Sequence, residues 1–368
     1  VDTFKQAFEE LLKQCVAMGA SDLHLSAETP PVVRRNGRLE PLPLSSPDQT
    51  LPLEKMIDAI MHPRQRAAFE QEQTLDLAYS LPTRERFRIH LYRERGRMAT
   101  AIRQLDHRLR SFEELALPPL LKSLTELRDG LVLITGPTGS GKTTTLATQI
   151  HQINQTRRCH ILTVEDPVEY LHQNIQSLVR QRELYTDVST FAQAVRAALR
   201  EDPDVILIGE MRDVETTRAA ITAAETGHLV FSTLHTGDTV GALDRMIGLF
   251  PGSEQESIRH QLSMVLRAVV AQRLLPNRQG SGRLPAVEIL RVTPAIAHLI
   301  RTGRPQQIYS AIETGSAYGM QTFEQSLAEL IRRDRIAPEE ARTLARDWRT
   351  VEAYLRGRGI TEGGRRGL

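Results

Sequence analysis

The 368-residue sequence is short of cysteine, of long apolar runs and of any excess of one charge, and each shortage removes a class of protein. Two cysteines, Cys15 and Cys159, cannot build a disulfide framework or a four-cysteine zinc site, so both are expected to be small buried hydrophobes. No apolar run approaches the roughly 18 residues of a membrane-spanning helix. The most apolar strand-like runs, Leu131–Ile134 and Val205–Ile208, are four residues each. The opening residues carry Asp2, Lys5, Glu9 and Glu10 among the apolar ones, which is unlike a signal peptide. Lys and Arg number 47 against 45 Asp and Glu, a net charge of +2, whereas proteins held to nucleic acid by bulk charge are more lopsided. What is present, 40% apolar and 25% charged residues, suits a cytosolic globular protein with real cores. At one domain per roughly 150 residues, the length implies two or three domains.

Residues 1–110 read as a small α+β domain. Phe4, Phe8, Leu11, Leu12, Cys15 and Val16 recur at helical spacing, and Gly19 is placed to end that helix. Short strands are expected at Asp22–Leu25 and Pro31–Arg34, with Asn36-Gly37 as a hairpin turn, then a helix over Pro52–Met61. Strands return at Leu75–Tyr79, Arg86–Tyr92 and Met98–Gln104; the second alternates charged and apolar residues, as a sheet with one wet face should. Ser111–Leu117 with Pro118-Pro119 marks a linker over 111–119. Within 120–356 the pattern changes to buried strands, Leu131–Thr135, Cys159–Val164, Asp204–Ile208 and Leu229–Leu234, alternating with helices at Thr143–Asn154, Thr190–Leu199 and Val214–Glu225. Such alternation indicates a parallel sheet covered on both faces, an α/β fold. From about Pro251 the chain reads as mostly helical, with a flexible Asn277–Gly282 loop, and Gly357–Leu368 as a flexible Gly- and Arg-rich tail.

The strongest chemical signal is Gly136-Pro137-Thr138-Gly139-Ser140-Gly141-Lys142-Thr143, a full G-x-x-x-x-G-K-[ST] match, followed by Thr144. A strand precedes it and a helix follows, as a phosphate loop requires. Glycines let successive backbone N–H groups wrap an anion, and the helix N-terminus adds its positive dipole end. Lys142 is placed to reach the β- and γ-phosphates, and the Thr143 hydroxyl to ligate Mg²⁺. The Asn-Lys-x-Asp signature of GTPases and the Leu-Ser-Gly-Gly-Gln signature of ABC transporters are both missing, so ATP is the expected nucleotide.

In an open α/β sheet the remaining catalytic groups belong at carboxyl ends of strands. Glu165 and Asp166 follow one strand, Glu210 follows Gly209 after another, and His235 follows a third that His228 precedes. Glu210 is the expected catalytic carboxylate, with Glu165 beside the metal and its waters, and His235 and His228 as further candidates. A lone acidic residue at a strand end is more often a helix cap, and Asp166-Pro167 reads as ordinary turn initiation. Arg84, Arg86, Arg88, Arg93, Arg95, Arg97 and Arg103 crowd the end of the first domain. Three readings stay open: a solvated sheet face, arginines (Arg86, Arg88, Arg103) delivered in trans to a neighbour's nucleotide, or a nucleic-acid surface. Only Phe87 and Tyr92 interleave and Glu85 and Glu94 dilute the charge, which disfavours the last.

These motifs resemble the secretion-superfamily ATPases of type II secretion and type IV pili, and among them the PilT-type pilus retraction ATPases. The likeness covers nearly the whole chain: Gly19–Leu25, Gly130–Thr145, an Asp-box-like Leu162–Glu169, Ala198–Asp204 leading to Gly209–Asp213, and a His-box-like Thr222–His228 through His235-Thr236. The Gly209 that replaces a Walker B aspartate matches the family pattern. The resemblance implies a PAS-like N-terminal domain, a RecA-like ATPase domain with C-terminal helices, and a ring homo-hexamer with ATP and Mg²⁺ between subunits. It further implies a cytoplasmic motor for pilus retraction and twitching motility, peripheral at the inner membrane through a platform protein of the pilus machine. A paralogous ATPase stays open as a further partner, and no nucleic acid is expected. The PilT-type branch is chosen because the chain starts at the PAS-like domain, lacks a four-cysteine motif, and carries Ile308–Gly315 and Gly319–Thr322. The retraction motif Ala-Ile-Arg-Asn-Leu-Ile-Arg reads Ala295–Arg301 here with Ala297 and His298 in place of Arg and Asn. The alternatives are a pilus-extension or secretion ATPase, a nucleic-acid translocase, and a non-hydrolysing regulatory ring.

Overall fold

The computed structural model describes residues 2–27, 29–43, 51–106, 108–280 and 282–357. The expected flexible tail, Gly357 apart, lies outside them. Two compact units emerge: Val1–Arg108 with Val164–Gln173 and Gln181–Ala194, and Leu109–Thr163 with Asn174–Arg180 and Val195–Leu368. The first unit thus draws on two stretches from the middle of the sequence.

The first unit contains α1 (Asp2–Ala17), β1 (Asp22–Ser26), β2 (Val32–Arg35), β3 (Arg38–Pro41), α2 (Leu53–Asp58), α3 (Pro63–Glu72), β4 (Thr74–Ser80), β5 (Arg86–Glu94) and β6 (Arg97–Leu105). The strands form an antiparallel sheet in the order β3-β2-β1-β6-β5-β4. Asn36 and Gly37, at φ 50° and 80°, make the tight turn between β2 and β3, where both central residues must take positive φ. Along β5, Phe87, Ile89 and Leu91 are buried in a core shared with Phe8, Leu12 and Leu23, while Arg86, Arg88 and His90 alternate onto the opposite face. Helix α3 was not expected. Its capping residue is a histidine: His62 Nδ1 accepts from Arg64 N while Gln65 Oε1 accepts from His62 N. A cap outside the Ser/Thr/Asp/Asn set leaves little trace in the sequence. Burial pushes the Cys15 thiol up to about 11, as suits a small core residue. Cys159 departs from expectation, being half-buried with Sγ 3.3 Å from Ser177 Oγ.

The rest of the chain forms α4 (Pro119–Ser123), β7 (Gly130–Thr135), α5 (Lys142–Thr156), β8 (His160–Glu165), β9 (Leu178–Glu183), α6 (Phe191–Ala198), β10 (Val205–Ile208), α7 (Val214–Glu225), β11 (Leu229–Leu234), α8 (Thr239–Gly248), α9 (Gln255–Val265), β12 (Leu266–Pro276) and β13 (Arg283–Arg291). It ends in α10 (Pro294–Arg301), α11 (Pro305–Thr314), α12 (Phe323–Arg332), α13 (Pro338–Leu344) and α14 (Trp348–Leu355). The sheet runs β13-β12-β7-β11-β10-β8-β9, and β12, β7, β11 and β10 are mutually parallel. Every residue of β7, β10 and β11 is buried, which is why those segments are mostly apolar.

The expectation of a mostly helical remainder after Pro251 is corrected by β12 and β13, an antiparallel pair from Ala268↔Arg291 to Pro276↔Arg283. Leu, Ala, Arg and Gln dominate β12 and are good helix formers, so local propensity points the wrong way; pairing with β7 overrides it. Pro285 is tolerated in β13 because that strand ends the sheet. The expected loop Asn277–Gly282 connects the two strands, with Asn277 N donating to Gly282 O at 2.8 Å. Among the described residues no helix is long and apolar enough to cross a membrane.

Candidate functional site

The phosphate-loop motif occupies the turn between β7 and α5. Gly136 takes φ 147°, and a Cβ there would come within 2.3 Å of the Gln272 carbonyl oxygen, so the position admits only glycine. Lys142 opens α5 with its side chain folded into the loop: Nζ donates to Gly136 O at 2.8 Å and Pro137 O at 3.0 Å. Burial holds the lysine's pKa below its ordinary value, and Glu210 pulls the other way. Thr143 lies exposed in the first turn of α5, and Thr144 beside it is half-buried.

The parallel register of β7 and β11, Gly130↔Leu229 through Thr135↔Leu234, brings the segments after both strands to one end of the sheet. They are stitched there: Thr236 N donates to Thr135 Oγ1 at 2.9 Å, and that hydroxyl donates on to Thr236 O at 2.9 Å. The segment after β10 is tied to the same place, with Thr233 Oγ1 donating to Gly209 O at 2.6 Å and Met211 N to Thr233 O at 3.2 Å. These ties set His235 Nε2 3.4 Å from Glu210 Oε2, while Arg212 Nε sits 2.8 Å from Glu210 Oε1. The structure therefore brings together Lys142, Glu210 and His235. It adds Arg212, whose only sequence signal is its place two residues beyond Glu210.

His228 lies apart from this cluster. It precedes β11, its carbonyl receives Gly130 N at 3.0 Å, and its ring lies against Ala223 O at 2.9 Å. Because β7 and β11 are parallel, His228 stands at the opposite end of the sheet from the phosphate loop of its own chain and cannot join it. Glu165 ends β8 as expected, 8% exposed, and belongs to the first unit, where Gln181 Nε2 donates to its Oε1 at 3.1 Å.

The three arginines share one face of the six-stranded sheet, since Arg88 and Arg103 are direct cross-strand partners and Arg86 is two residues along β5. Each has a partner inside the first unit. Arg86 is 8% exposed; its Nε donates to Val168 O at 2.9 Å, Nη2 to the same oxygen, and Nη1 to Ser80 Oγ at 2.8 Å. Burial lowers its pKa, opposed by Glu183, Glu165 and Glu169. Arg88 bridges Asp76 at 3.1 Å and Glu169 at 3.3 Å, and exposed Arg103 pairs with Asp22 at 2.8 Å. Arg86 and Arg88 thus bind the Val168–Glu169 segment, a use the sequence did not suggest.

A buried-lysine phosphate loop at one sheet end, with a glutamate and a histidine on the two neighbouring strand ends, defines a P-loop ATPase. The family model described as type II/IV secretion system protein matches residues 97–329. The type IV pilus retractation ATPase PilT of Pseudomonas aeruginosa is 43% identical over 337 residues, covering 92% of this chain and 97% of that protein. The chain belongs to the type II/IV secretion system protein family, on its PilT-type branch, and is an ATP hydrolase. A twitching motility protein of Neisseria gonorrhoeae is 47% identical over 79% of this chain and 78% of its own length. The crystal structure of the pilus retraction motor PilT with bound ADP matches with a TM-score of 0.83 at 42% identity, over 93% of this chain and 98% of that one.

Proposed function

We propose that this chain is the ATPase motor that retracts a type IV pilus. The observation that carries the reading is the joint presence of the Lys142–Glu210–His235 cluster and 43% identity to a retraction ATPase across 92% of the chain. The first unit is read as a PAS-like domain and the second as a RecA-like ATPase domain with C-terminal helices. Six copies would form a ring that works on an inner-membrane platform protein from the cytoplasmic side, with a paralogous ATPase as a further partner. ATP turnover in such a ring drives rigid-body motion of the domains.

The residues fit a nucleoside triphosphate: buried Lys142 closes a loop whose Gly136, Gly139 and Gly141 all take positive φ. Lys142 balances phosphate charge, and Glu210 holds and deprotonates the attacking water, with His235 and Arg212 orienting its carboxylate. Mg²⁺ would be held by the Thr143 hydroxyl, with Glu210 and Glu165 as the candidate carboxylates, and would supply charge neutralisation when bound.

Deleting the gene tests the reading in the cell. Hyperpiliated, non-twitching cells are expected, and bald cells would make the protein an extension ATPase instead. One observation favours that second reading or a secretion role. In α10, Ile296 and Ile300 are buried while His298 is exposed and Ala297 half-buried, so the two departures from the retraction motif sit where a partner would meet them. Ala297→Arg with His298→Asn is expected to leave the purified ATPase rate near wild type and to alter retraction, read as twitching motility. Unchanged twitching would mean this segment has no output role.

A further inference from the structure

We propose that Gln272 is a positioning residue that holds the phosphate loop in the form that accepts nucleotide. It lies on β12, is 2% exposed, and follows Ala271, the cross-strand partner of Thr135 at the end of β7. Its side-chain amide spans the junction between the loop and α5. Nε2 donates to Ser140 O at 2.7 Å and Oε1 accepts from Thr145 Oγ1 at 2.8 Å. The amide has one orientation here, because a carbonyl oxygen only accepts and the nitrogen must face it.

Two consequences follow for the loop. In a trans peptide the C=O and the next N–H point in opposite directions, so pulling Ser140 O toward Gln272 turns the Gly141 N–H away from β12. That N–H is one of the loop donors that cradle phosphate. Gln272 is also the surface on which both ends of the loop rest. A Cβ on Gly136 would lie 2.3 Å from its carbonyl oxygen, and one on Gly141 would lie 2.7 Å from its Nε2. Gln272 is separated from Ser140 by 132 positions, so no motif announces it.

The inference rests on nucleotide binding by this loop and not on pilus retraction. The test uses the full chain with Gln272→Leu and Gln272→Glu. It reads the Kd of a fluorescent ADP, the KM and kcat for ATP, and the thermal midpoint without nucleotide. Both variants are expected to bind ADP about tenfold or more weakly at neutral pH, since a buried loop carbonyl loses its donor. The pH profile then separates them. Burial raises the introduced carboxyl's pKa, and its protonated form donates to Ser140 O as the amide does. Relative to wild type, Gln272→Glu should regain ADP affinity as pH falls, while Gln272→Leu stays flat. Wild-type Kd and KM in Gln272→Leu, or identical Glu and Leu profiles at every pH, would reduce Gln272 to a packing residue and overturn the proposal. If these variants do not fold, Thr145→Val removes only the helix-side bond. Severalfold weaker ADP binding supports the clamp, and unchanged binding overturns it. Wild-type protein that binds no ADP would instead sink the nucleotide reading, a separate result.

Discussion

At the ends of β10 and β11, Glu210 and His235 keep part of their surface free, with side-chain exposures of 17% and 43%. Their backbones are held by Thr135, Thr233 and Thr236. On the arginine face of β5 and β6 the roles are reversed. Arg86 is buried and all its nitrogens are engaged, and its partner Val168 sits in a segment with no regular secondary structure. One cluster is a rigid frame presenting chemical groups; in the other, a charged group serves as the frame for a loop. Charged residues therefore serve opposite ends in the two places, and what separates them is whether backbone or side chain does the holding.

The largest effect expected concerns the presenting cluster. Lys142→Ala should abolish ATP binding, while Glu210→Gln should bind ATP and lose turnover by about a hundredfold, as removal of a general base does. Equilibrium nucleotide binding beside steady-state turnover checks both, and near-normal turnover in Glu210→Gln would move the base role to Glu165.

The framing cluster is tested by stability. Arg86→Ala strands the Val168 carbonyl and leaves Glu183, whose pKa burial already raises, without its cation 4.0 Å away. Roughly 2–3 kcal/mol of destabilisation is expected in a denaturant titration, against less than about 1 kcal/mol for Arg103→Ala. Equal losses from the two would erase the contrast between buried frame and exposed pair.

Arg88 and Arg103 remain the arginines to test for action across a subunit boundary. Each →Ala variant should lower turnover without weakening ATP binding, and mixing with Lys142→Ala subunits should restore part of the activity. No recovery in rings of confirmed size would confine both arginines to their intrachain pairs.

The smallest effect is a pH dependence at Asp22. Burial alone would raise its pKa, but hydrogen bonds from Ser21 and Arg103 outweigh that and hold it below the ordinary aspartate value. Its stabilisation is therefore complete above about pH 4 and lost as pH falls through the lowered folded value. Asp22→Asn should flatten that limb of the stability profile, and an unchanged acid limb would show that the pair with Arg103 carries no linkage.

Much of the site was legible because its groups are local to their strands. A phosphate loop is eight consecutive residues between a strand and a helix; Glu210, after Gly209, and His235 close short, mostly apolar runs that read as buried strands. His228 was named beside His235 although it precedes the strand that His235 follows, so the two stand at opposite ends of β11. Only its parallel pairing with β7 says which end carries the phosphates. Cys159, α3 and the strand character of β12 were obscured for separate local reasons: a half-buried position just before β8, an uncommon cap and a helix-prone composition.

By itself, then, the sequence determined the class of chemistry, the parallel α/β core and the residues at the loop and strand ends, since each depends on neighbours within a few positions. Tertiary structure alone decided which arginines are committed to the Val168–Glu169 segment, that His235 rather than His228 meets Glu210, and that Gln272 clamps the loop. These last contacts join residues tens to more than a hundred positions apart. A hydrogen bond between such groups is set by sheet order and register, which no local pattern of residues encodes.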